Sequence, residues 1–207
     1  MFVSVARAFQ NGGTFMYSIG LVSAFAFAMI IERIYYLYVK FDVKADIIWP
    51  EIFNKVKNQD IKGAIEKANN SDVPFFYVIQ YTLEHINTGK IRDFSDEAIY
   101  EVTPELNRRV NYISLMANIA TLLGLLGTIT GLIGAFMGVA AADPGEKQKK
   151  LASGIATAMN TTAFGLIVAI PCLIAYTILL SKAESLQETI DLYTKRLVDY
   201  INNNIYS

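Results

Sequence analysis

VNYISLMANIATLLGLLGTITGLIGAFMGVAAA, from Val110 to Ala142, contains no Asp, Glu, Lys, Arg or His. A dense charged link follows, Asp143-Pro144-Gly145-Glu146-Lys147-Gln148-Lys149-Lys150. Then comes LASGIATAMNTTAFGLIVAIPCLIAYTILLS, Leu151 to Ser181, again without those side chains. A bilayer core is crossed by about 20 apolar helical residues. Each stretch holds roughly 30, or about 45 Å of helix. Both are therefore predicted to span a membrane and to project beyond it on one side.

The first long helix carries Gly124, Gly127, Gly131, Gly134 and Gly138. Steps of three and four put all of them on one helical face. Between lipid-embedded helices small residues allow close approach, because apolar burial no longer separates partner from solvent. The second answers with Gly154, Ala158, Thr162, Gly165 and Ala169. Thr128 and Thr162 fall on these stripes, so two hydroxyls are placed against whatever packs there. Ser and Thr in membrane helices also commonly bond a carbonyl one turn back, and spacing alone leaves both roles open. Pro171 lacks an amide proton and is expected to bend the last span.

Working outward, Thr14 to Val39 reads as a first span. Glu32-Arg33 interrupts it, and Tyr35, Tyr36 and Tyr38 suit an aromatic belt at the headgroups. Residues 1–13 read as an interfacial or periplasmic segment. Residues 40–109 form a polar part with helical periodicity and no useful strand alternation. Within it Trp49-Pro50 marks an expected break, and residues 51–70 read as one helix. Ser71 or Asp72 is an expected cap before Phe75, and Ser95 caps a helix beginning near Phe94. That helix, kinked at Thr103-Pro104, is predicted to run unbroken into the second span. After Ser181 the tail, 182–207, carries Leu186, Ile190, Tyr193, Leu197 and Ile201 as an apolar stripe. The organisation is thus 1–13, 14–39 (span), 40–109 (helical domain), 110–142 (span), 143–150 (link), 151–181 (span) and 182–207 (helix). The fold class is an all-α integral membrane protein with three transmembrane helices, two of them long and extending into a helical domain.

The chain has 207 residues, 53% of them hydrophobic, with net charge −1 and no basic stripe, which argues against nucleic acid as a partner. The lone Cys172 cannot form an internal disulfide, and the single His85 has no ligand pattern around it, so no metal site is expected. Residues 40–109 hold about ten Lys and Arg, which places this part in the cytoplasm with the tail. The amino terminus and the link are then periplasmic.

"LLGLLGTITGLIGAF" (Leu122 to Phe136) and "GIATAMNTTAFGLIVAIP" (Gly154 to Pro171) resemble the two signature helices of the MotA/TolQ/ExbB proton-channel family, in its three-span TolQ/ExbB-like branch. The resemblance implies a multi-pass protein of the bacterial inner membrane. It implies a homo-oligomeric ring, typically a pentamer, around a dimer of an ExbD/TolR-like single-span partner that carries an essential aspartate. A TonB/TolA-like periplasm-spanning protein is a further implied partner. The complex would use the proton-motive force to energise outer-membrane transport, envelope integrity or motility, with H⁺ preferred to Na⁺ as the coupling ion and no other cofactor. The family's pore hydroxyls fall on Thr128 and Thr162, with Thr161, Asn160 and Thr157 as further ion-path candidates. Thr121 stands where many relatives have Pro, and Thr157 where some carry a glutamate.

From the residues alone, the long spans hold no group that stores a proton at neutral pH, since Thr and Asn only relay hydrogen bonds. An ion-binding acid would have to come from another chain. No nucleophile–base or metal constellation points to an enzyme. The alternative function class is a non-conducting membrane scaffold or assembly protein.

Overall fold

The computed structural model describes residues 13–69 and 72–204. The expected amino-terminal segment lies outside them, apart from Gly13. Seven α-helices occur among the described residues: α1 (Phe15–Tyr35), α2 (Ala45–Lys57), α3 (Ile61–Lys67), α4 (Pro74–Glu84), α5 (Ile91–Asn107), α6 (Val110–Ala140) and α7 (Lys147–Asn204). A π-helical turn, Tyr36–Lys40, extends α1, and a 3-10 turn, Ile86–Thr88, follows α4. No strand occurs among the described residues. Among the described residues three helical stretches are long and apolar enough to cross a membrane: Phe15–Lys40, Ile91–Ala140 and Lys147–Asn204. The chain is an all-α membrane protein.

The described residues divide into two compact units, one of residues 13–31 and 109–177, the other of residues 32–69, 72–108 and 178–204. In the first unit α6 buries small residues (Ala117, Ala120, Gly124, Gly127 and Ala135), and α7 buries Ala158, Thr161, Val168, Ala169 and Cys172. From α1, Met16, Ile19 and Ala26 are fully covered. The large apolar side chains point the other way. Leu122, Leu125, Ile133 and Phe136 of α6, and Met159, Ile167 and Ile174 of α7, are more than half exposed. A water-soluble protein would not present such a surface. In a bilayer it matches the acyl chains, while the small residues set how closely the helices approach.

The second unit has an ordinary hydrophobic core. Ile52 and Val56 of α2, Val78, Ile79 and Leu83 of α4, Ile91, Ala98 and Leu106 of α5, and Leu197 and Ile201 of α7 are all but fully buried. The tail stripe read from the sequence (Leu186, Ile190, Tyr193, Leu197, Ile201) is buried along its whole length. Tyr193 is its anchor: its ring meets Trp49 at 5.0 Å and Phe75 at 5.9 Å, and its hydroxyl donates to Asp46 Oδ1 at 2.5 Å. That bond, with burial, holds the Tyr193 hydroxyl above its ordinary pKa. On the surface Tyr77 donates to Glu101 Oε2 at 2.6 Å, and this bond pushes its pKa up to about 12.

Several local expectations are corrected. Trp49-Pro50 does not end a helix: α2 runs through Pro50. The hydrogen bond lost at proline is offset by Trp49, which stacks on Phe53 at 5.2 Å and is buried against Tyr193. Residues 51–70 are not one helix. Gln59 turns left-handed (φ 59), and Asp60 starts α3 by accepting from the Gly63 amide at 3.0 Å. That amide, with Lys55, holds the Asp60 carboxyl below its usual pKa. Asp72 does not cap α4, which has Val73 at its N-cap and Pro74 in its first turn, while Ser71 lies outside the described residues. Ser95 lies inside α5, its hydroxyl donating to Arg92 O at 2.8 Å, and is not a cap. The helix does not continue unbroken into the second span. Asn107 Nδ2 bonds Thr103 O at 3.2 Å near the end of α5, and Arg109 adopts φ 61 before α6 begins. The charged link also shortens, because Lys147 to Lys150 already belong to the first turn of α7.

Candidate functional site

Gly124 is the centre of the α6–α7 contact. A Cβ added to it would lie 3.3 Å from the Thr162 Cα and 3.4 Å from the Gly165 Cα. On the facing helix, a Cβ on Gly165 would lie 2.7 Å from the Ala120 carbonyl oxygen. Those neighbours are backbone atoms and cannot swing aside, so an added methyl would be tight at Gly124 and would clash at Gly165. One turn on, Gly127 leaves the space that the Thr161 side chain fills, and Gly131 receives Ala158, whose Cα would be 3.2 Å from an added Cβ. The backbones approach here because the sequence removed the side chains that would keep them apart.

Close approach brings the two expected hydroxyls together. Thr128 Oγ1 is hydrogen-bonded to Thr162 Oγ1. Thr128 also donates to Gly124 O at 3.2 Å, and Thr162 donates across the helix pair to the same oxygen at 3.0 Å. The Ala158 carbonyl stands 3.4 Å from Thr128 Oγ1. Each hydroxyl has only one hydrogen to give, so these contacts are alternatives, and the pair can switch donors without moving a heavy atom. Thr161 is 1% exposed and donates to Thr157 O at 2.9 Å. Thr157 in turn donates to Ser153 O at 3.0 Å. Asn160 is half-buried beside Thr161.

The glycine seam does not stay closed along its length. Gly134 has nothing within 4 Å of an added Cβ, and Gly138 meets only the aliphatic Lys150 Cδ at 4.0 Å. There the helices border an open cavity of about 300 Å³, lined by Gly131, Gly134, Ala135, Gly138, Lys150, Ser153, Gly154 and Thr157. The structure thus groups the candidates into a half-buried hydroxyl pair, Thr128 with Thr162, and an open cleft that includes Thr157, Gly134 and Gly138. Pro171 lies within α7, which continues through it. Ser153 and Lys150 were missed by sequence reasoning, which counted Lys150 only as link charge. The signal was their position one and two turns before Thr157 on the same helical face.

Nothing between Val110 and Ala142, or between Leu151 and Ser181, can hold a proton as a carboxylate, amine or imidazole. No group of three or more metal-ligating side chains occurs among the described residues. His85 stacks on Phe94 at 4.2 Å, with its Nδ1 2.9 Å from Tyr81 O.

Closely packed helices with uncharged, membrane-length stretches and hydroxyls at their contact define a class: multi-pass membrane proteins. The chain belongs to the MotA/TolQ/ExbB proton channel family, whose model matches residues 58–191 and so takes in all of α6 and most of α7. No individual curated protein matches the sequence.

Proposed function

We propose that this protein is the ring-forming subunit of an inner-membrane motor driven by the proton-motive force. Copies of the chain, five in the arrangement the family suggests, surround a dimer of an ExbD/TolR-like single-span protein. The partner's aspartate takes up the proton, and its periplasmic part carries the work to the envelope, directly or through a TonB/TolA-like protein. The amino terminus is periplasmic, the carboxyl terminus cytoplasmic, the coupling ion H⁺ rather than Na⁺, and the chain is not an enzyme.

One observation carries this reading: a switchable hydroxyl pair, Thr128 and Thr162, sits in spans that contain no acid. A carboxylate that must be charged on one side and neutral on the other needs neutral groups able both to donate and to accept. Threonine hydroxyls do this, and lysine or glutamate at the same place would trap one state. The energy is sufficient, since one charge crossing 100 mV delivers about 2.3 kcal/mol. Protonation of the partner's aspartate favours one placement of the central helices against the ring, and release favours the next.

The test uses Thr162→Val in the chain co-expressed with a single-span, Asp-bearing product of a neighbouring reading frame. Valine keeps the shape and removes the hydroxyl. Proton uptake into vesicles is expected to fall about tenfold or more, the scale of a lost hydrogen bond to a charged group. The partner should still copurify. Unchanged uptake would remove Thr162 from the ion path and favour a non-conducting scaffold.

A further inference from the structure

Two cations share one aromatic ring where the first span ends. The Arg33 guanidinium lies 4.9 Å from the centre of the Tyr36 ring, and Lys40 Nζ lies 5.5 Å from it. The π-helical turn Tyr36–Lys40 brings Lys40 back to this ring, and Lys40 also stands 6.0 Å from the centre of Phe41. Arg33 is 2% exposed. Its Nη2 bonds Glu32 Oε1 at 3.2 Å, while Nε and Nη1 have no hydrogen-bond partner. Lys40 makes no ion pair among the described residues, although it is only half-buried. Nearby, Lys182 lies over Tyr38 at 5.2 Å, but Asp42, at 2.8 Å, neutralises it. Arg33 is thus ion-paired with Glu32 and Lys182 with Asp42, and of these three cations Lys40 is the one without an ion pair among the described residues.

A cation–π contact holds the Lys40 charge in place but leaves it uncancelled. Tyr35 and Tyr38 are exposed beside the site and suit the headgroup layer. A basic, aromatic-lined site at this depth favours an anionic headgroup.

We propose that the collar of Arg33, Tyr36 and Lys40 binds the phosphate of an anionic phospholipid. Lys40 makes the contact, and Arg33, ion-paired with Glu32, holds the Tyr36 ring in place. This requires only that α1 crosses the bilayer, so it stands or falls independently of the motor reading.

The test is native mass spectrometry of the full chain in mixed micelles of phosphatidylglycerol and phosphatidylcholine. Preferential retention of phosphatidylglycerol is expected. Lys40→Ala should weaken that preference about fivefold, the worth of one basic residue at an anionic surface. Lys40→Arg should keep it, which separates lost charge from damaged folding. Equal retention of the two lipids, or a preference untouched in Lys40→Ala, would overturn the proposal. Displacement by millimolar inorganic phosphate would also overturn it, by marking a site for the free anion.

Discussion

At the scale of single residues, glycines of one seam have unlike consequences. Gly165 faces the Ala120 carbonyl and the Gly124 Cα, both fixed. Gly165→Ala is expected to destabilise the purified chain by about 1–3 kcal/mol, as overpacking does. Gly134 faces open space. Gly134→Ala should change stability by no more than about 1 kcal/mol, and toward greater stability, because alanine is the better helix former. Thermal unfolding in detergent checks the pair, and equal losses at both sites would mean that the seam is not closed where the geometry closes it.

At the scale of elements, the informative positions are the breaks. Gln59 holds a left-handed conformation (φ 59) between α2 and α3, where glycine would be at ease. Gln59→Gly is expected to stabilise the chain by up to about 1 kcal/mol, and Gln59→Val to destabilise it. Denaturant midpoints of the full chain decide this, and a loss on introducing glycine would contradict it. The sequence hid this break because the apolar period continues through it: Ile52 and Val56 before, Ala64 after, all buried. It likewise hid the break at Arg109, where a polar helix meets an apolar one without glycine or proline at the joint. Pro50 misled in the opposite direction, since local propensity predicted a stop that aromatic packing overrode.

At the scale of the whole molecule, the two long spans lack any acid, and this sets a measurable limit. Vesicles holding this chain alone should show no proton uptake above protein-free vesicles when a membrane potential is applied. Steady uptake by the chain alone would show that no acid from another molecule is needed. The exposed faces of α6 and α7, with Leu122, Phe136, Met159 and Ile167, belong to the same scale. They are surfaces for lipid or for neighbouring chains, and their extent follows from the sequence having spent its small residues on a single seam.

The sequence by itself determined the class of this protein. Uncharged runs long enough to cross a bilayer, a seam of glycine at helical spacing and two threonines in register are one-dimensional patterns, and helical periodicity converts them directly into faces. It also fixed the absence of an acid in the two long spans, which is a matter of composition. Only the tertiary structure decided which glycines are closed upon and which open to the cleft with Lys150 and Ser153. Only it put Arg33 and Lys40 on one ring. Those outcomes depend on distances between residues far apart in sequence, or on a π-helical turn that shifts the helical register, and neither leaves a repeating mark in the order of amino acids.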